Sequence, residues 1–108
     1  MEIKVYAKTR DGIAKASAIY TGEKTIVLAG SKVKTTLAKS VKSGKYVRQY
    51  LNDSAYVSAD GVVMNDCSFN SPSIAAMFVT GNTSNGYRVW KTVDGKTLGD
   101  FLKENNLR

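Results

Sequence analysis

The residues nearest to a reactive arrangement are Asp60, Asp66, Asp94 and Asp100, the single thiol of Cys67, and the hydroxyls of Ser71 and Ser73. The aspartates are the right ligands for a Mg²⁺ ion, but no spacing gathers them. Asp60 and Asp94 each precede a glycine in a turn-like pair, Asp100 suits a helix start, and Asp66 lies just before one, so local backbone roles account for all four. The chain has no histidine. The commonest general base near neutral pH and the commonest transition-metal ligand are therefore missing. Cys67 has no imidazole to activate it, Ser71 and Ser73 have no visible base, and one cysteine without histidine does not make a zinc site. The glycines form neither common phosphate-loop pattern, and no cofactor motif is present. These features predict a chain that is not an enzyme and carries no cofactor and no metal.

Binding chemistry is better represented. The formal net charge is +7, from 16 basic and 9 acidic residues. Residues 1–54 hold 11 basic and 4 acidic groups, whereas residues 55–108 hold 5 of each, so the whole excess lies in the first half. Between Lys24 and Asn52 there are seven basic residues and no acid. Such a segment is expected to form one electrostatic surface facing a polyanion. Lys32, Lys34, Lys39, Lys42, Lys45 and Arg48 are its candidate phosphate contacts. Ser31, Asn85 and the N–H groups opening the helix after Ser71 could add neutral donors. Tyr87 and Trp90 are candidate stacking groups, as are Tyr46, Tyr50 and Tyr56 if exposed. Each has a structural alternative: a lysine-rich face that only solvates the domain, a core role for Trp90, and for Arg48 a bond closing its helix against the core.

The elements that must position these residues follow from periodicity. Glu2 to Thr9 alternates Ile3, Val5 and Ala7 against Lys4, Tyr6 and Lys8, which is strand spacing. After the Arg10-Asp11-Gly12 turn, Ile13 to Tyr20 forms a second strand with Ala14, Ala16 and Ala18 on one face. Thr25 to Ala29 forms a third, and the short connections predict a β-meander. Leu37, Val41, Gly44, Val47 and Leu51 make one helical stripe; Ser40, Ser43 and Gly44 weaken its middle, so a firm helix is expected from about Ser43 to Asn52, with room for a loop or a shorter turn before it. Val62 to Met64 reads as a strand. Ser71-Pro72-Ser73 is a helix start, because Ser71 can cap free N–H groups and Pro72 loses nothing at the first helical position. That helix runs through Ile74 to Val79 and stops at Gly81. Asn85-Gly86 reads as a turn into a strand from Tyr87 to Lys91. Thr97 with Asp100 resembles a capping box for a last helix ending near Asn105. The expected architecture is α+β, an antiparallel sheet with about three short helices against it, in a single domain spanning 1–108.

The run Phe69-Asn70-Ser71-Pro72-Ser73-Ile74-Ala75-Ala76 carries a family resemblance, together with Asn85-Gly86, Trp90-Lys91 and the segment Asp94 to Leu98. Leu28 to Ser31 and Arg48 to Leu51 extend it upstream, so it covers about residues 12–98. These residues resemble a bacterial domain of unknown function found at the C-terminal ends of GIY-YIG-type nucleases and restriction-associated proteins. It is similar to the RAMA (restriction enzyme adenine methylase associated) domain, relatives of which have been proposed to sense modified DNA. The resemblance implies a setting of DNA modification and defence, and a nuclease or methyltransferase domain as neighbour, without implying a reaction.

The leading expectation is thus a non-catalytic accessory module that binds nucleic acid, DNA first. The other is a protein–protein interaction module whose basic surface is only solvated. No apolar run approaches the roughly 20 residues that span a bilayer, and Met1 to Lys4 lacks a signal-peptide pattern. A single cysteine suits a reducing compartment, so no membrane partner and a cytoplasmic location are expected.

Overall fold

The computed structural model describes residues 1–39, 41 and 44–107. Strands β1 (Ile3–Lys8), β2 (Lys15–Tyr20), β3 (Thr25–Val27) and β4 (Cys67–Phe69) form one antiparallel sheet in the order β1-β2-β3-β4. The first three are the expected meander, joined by turns at Arg10 to Gly12 and Thr21 to Lys24. Helices α1 (Lys45–Leu51), α2 (Pro72–Thr80), α3 (Gly86–Val89) and α4 (Leu98–Glu104) complete the chain. The architecture is α+β as expected, with α3 as a fourth, one-turn helix.

Strand alternation decides the layering. Val5 and Ala7, then Ala16, Ala18 and Tyr20, then Thr25 and Val27, then Cys67 and Phe69 are all buried. Their partners in the pleat are exposed or half-buried. Successive side chains on a strand point to opposite faces, so one face of the sheet is core and the other is open. Helix α2 packs against all four strands on the core face. It is almost wholly apolar, with Ala75 and Ala76 fully buried and allowing close approach to the sheet. Its ends are the ones the sequence predicts. Ser71 Oγ accepts from the Ile74 N–H at 3.1 Å, Pro72 takes the first position, and Gly81 closes the helix at φ 75°. Thr97 Oγ1 likewise accepts from the Asp100 N–H at 3.2 Å and starts α4.

Two expectations are corrected. Tyr87 to Lys91 is not a strand, because the Asn85 side chain accepts from the Tyr87 N–H at 3.1 Å and caps a helical turn instead of a hairpin. Trp90 is already extended at φ −75° and ψ 134°, and Lys91 makes a single bridge to Tyr6. Val62 to Met64 makes single bridges, Lys32 to Val62 and Val57 to Val63, and the fourth strand is Cys67–Phe69, which no periodicity marked. Helix α1 falls within the expected span of about Ser43 to Asn52, and Leu37 and Val41 reach the core from the irregular chain before it; Ser43 lies outside the described residues.

Tyr50 on α1 seals the β4 edge. Its hydroxyl accepts from the Ser68 N–H at 3.2 Å and lies 3.4 Å from the Ser68 carbonyl oxygen, to which it donates. These are the backbone groups that an edge strand would otherwise offer to another chain. The same ring sits 5.3 Å from Phe69, which is 5.0 Å from Phe78, and tilted aromatic pairs of this kind add about 0.5–1.5 kcal/mol each beyond area burial.

Candidate nucleic-acid interface

The open face of the sheet is where cations accumulate. Lys8 pairs with Lys15 in the β1–β2 register, and Lys15 pairs on its other side with Lys32, through N–H to carbonyl bonds of 2.9 Å in both directions. Directly opposed residues of neighbouring strands share a face. Lys8, Lys15 and Lys32 are therefore three exposed lysines in one row across three segments of backbone. In the next row Lys91 is bridged to Tyr6, and Tyr6 is paired with Ser17. In the row beyond, Lys4 is paired with Ile19, and Ile19 with Ile26. Lys4, Lys8, Lys15, Lys32 and Lys91 take part in no ion pair among the described residues. No acidic residue occupies any of these positions.

Among the described residues, the segment from Lys24 to Asn52 does not form one surface. Lys15 and Tyr20 mark opposite ends of β2, about 17 Å apart. Lys32 lies at the Lys15 end, whereas Lys24 lies in the turn at the other end, with its Nζ 3.4 Å from Asn70 Oδ1. Lys34 is paired with Asp11 at 2.8 Å. That lysine, the Thr9 hydroxyl and the Ile13 N–H all bond the Asp11 carboxylate and hold it well below the usual carboxylate range. Lys39 and Arg48 line a separate groove with Leu37, Val41 and Leu51. Arg48 donates from Nη2 to the Val41 carbonyl at 3.0 Å, which ties the irregular segment to α1. Lys45 is exposed beside the Tyr46 ring. Lys42 lies outside the described residues.

The neutral donors and stacking groups also move. Ser31 is buried, with its Oγ accepting from the Ser17 N–H at 3.1 Å and donating to the Ser17 carbonyl at 3.3 Å, so it fastens the Lys32 segment to β2. Asn85 uses its side-chain oxygen as the α3 cap. Trp90 is fully buried and cannot stack on a base without opening the core. Tyr87 is half-buried, edge-on to Tyr20 at 6.5 Å. The aromatic group on the open face is Tyr6, 38% exposed, with Lys4 Nζ 5.7 Å from its ring centroid. Tyr6, Lys4, Lys8, Lys15 and Lys91 were not among the expected site residues. The alternation of Lys4, Tyr6 and Lys8 marked their shared face, but their neighbours are set by strand register.

Several carboxylates are engaged by nearby groups of the chain. Asp66 accepts from the Ala29 N–H at 2.8 Å, and Asp53 from the Ala55 N–H at 3.0 Å. The Thr92 hydroxyl, 2.7 Å from Asp94, lowers that carboxyl below its ordinary range. Among the described residues no three histidine, cysteine, aspartate or glutamate side chains gather as a metal site. No helix among them is long and apolar enough to cross a membrane.

No curated protein and no solved structure matches this chain. A family model matches residues 5–102, under the description "Domain of unknown function (DUF4357)".

Proposed function

Starting from a chain that belongs to the DUF4357 family, we propose a non-catalytic module that holds nucleic acid, DNA first, against the open face of its sheet. The observation that carries this reading is the row of Lys8, Lys15 and Lys32. Like charges placed directly opposite on neighbouring strands destabilise a sheet, on the scale of roughly 0.2–1 kcal/mol per pair. Here two such pairs stand in succession with no carboxylate between them. A phosphate backbone laid along the row neutralises all three ammonium groups and releases its own counterions. The local use of Asp11, Asp53, Asp66 and Asp94 supports a binding role over a hydrolytic one. The resemblance to domains of GIY-YIG-type nucleases, restriction-associated proteins and RAMA relatives gives the setting. The module presents DNA to a neighbouring nuclease or methyltransferase domain.

A salt titration tests the proposal. With three to five phosphates contacted, the log–log slope of affinity against salt is expected at roughly −2 to −4.5, from about −0.7 per contact on single strands and −0.9 on duplex. Absence of binding at low salt to single-stranded and duplex DNA and RNA alike would overturn it and leave the protein-interaction role in its place.

A further inference from the structure

We infer that the nucleic acid taken by this face is single-stranded, with one base stacked on Tyr6 and its flanking phosphates on Lys4 and Lys8. The inference rests on the open sheet face being the nucleic-acid surface. Tyr6 is an exposed ring on a fixed piece of backbone. Its N–H donates to the Lys91 carbonyl at 2.8 Å, the Lys91 N–H donates back at 2.9 Å, and on its other side it pairs with Ser17. Lys4 and Lys8 precede and follow it by two residues on the same strand, so their Cα atoms stand about 7 Å to either side on the same face. The neighbour across β2 is the small Ser17, which adds little bulk beside the ring.

The chemistry of this arrangement selects among nucleic acids. Every base has a π-face, and an aromatic ring within a basic surface binds an unpaired one irrespective of sequence. A duplex keeps those faces covered, and its major groove admits a helix or a two-stranded ribbon, which is narrower than this sheet. Lys4 Nζ lies over the Tyr6 ring in a cation–π contact. An arriving base takes the place of that ammonium group, and Lys4 moves to the adjoining phosphate.

The test compares fluorescently labelled oligothymidylate with a mixed-sequence duplex of equal length at low salt, using the whole chain and its Tyr6→Leu and Tyr6→Phe variants. The expected result is tighter binding of the single strand. Tyr6→Leu should weaken it roughly ten-fold, within the range found for losing one stacked base, and Tyr6→Phe should preserve it. Circular dichroism checks that both variants keep the fold. Duplex bound as tightly as the single strand, or Tyr6→Leu binding as the parent does, overturns the inference and leaves the broader nucleic-acid reading standing. No binding of either form overturns both.

Discussion

The indole Nε1 of Trp90 donates to the carbonyl oxygen of Pro72 at 2.9 Å, wholly out of solvent. This bond joins the end of α3 to the first turn of α2, the helix that covers the sheet. The Trp90 carbonyl in turn accepts from the Leu98 N–H at 2.8 Å and fixes the start of α4. Trp90→Ala should cost about 3–5 kcal/mol, the usual range for deleting a large buried aromatic side chain. Trp90→Phe keeps much of the packing and loses only the indole bond, for about 0.5–1.5 kcal/mol, because the Pro72 carbonyl still accepts within the first turn of α2. Urea denaturation of both variants checks the order; a near-neutral Trp90→Ala would contradict the buried indole.

Gly86 is required for a reason unrelated to backbone freedom. A Cβ there would stand 2.1 Å from the Pro72 carbonyl carbon and 2.2 Å from its oxygen, and Gly86 donates its N–H to Ser73 Oγ at 2.9 Å. Alanine ordinarily favours a helix over glycine by about 1 kcal/mol. Gly86→Ala should nevertheless destabilise by roughly 1–3 kcal/mol or more, because the obstacle is backbone that must shift. Gly95→Ala, at φ 86° with no atom within 4 Å of the added carbon, should cost only about 1–2 kcal/mol. Equal midpoints for the parent and Gly86→Ala would contradict the close approach of α3 to α2.

Cys67 is buried on β4, and burial followed by the nearby Asp66 charge raises its thiol from 9.0 to about 12. The folded chain therefore keeps a proton that the unfolded chain releases. Between 9.0 and about 12 the unfolded state binds fewer protons, so this thiol's contribution makes stability fall as pH rises through that window. Comparing the alkaline stability profiles of parent and Cys67→Ala isolates the contribution, and the parent should show the steeper decline. Thiol reagents at pH 8 should label Cys67 slowly in the native chain and quickly in denaturant.

Local signals were legible and register was not. Ser71, Pro72 and Gly81 define α2 by their own chemistry, and Thr97 does the same for α4. Asn85 misled because one side chain serves a hairpin turn or a helix cap, and the five residues after Gly86 fit either period. Cys67 to Phe69 is a strand only because β3 lies beside it. The grouping of the cations was hidden for the same reason. Lys24 and Lys32 are near in sequence yet lie at opposite ends of β2, while Lys91 reaches the sheet through its bridge to Tyr6.

The most direct test of the central claim pairs binding with stability in one set of variants. Lys8→Gln, Lys15→Gln and Lys32→Gln combined remove the row; Lys39→Gln and Lys45→Gln combined remove charges away from it. The row variant should lose most of its nucleic-acid affinity, flatten the salt slope by roughly 2–3 and gain up to about 1 kcal/mol of stability as the lysines cease to repel. The Lys39 and Lys45 variant should bind nearly as the parent does. Loss of affinity in the Lys39 and Lys45 variant, with the row variant binding normally, would contradict the account.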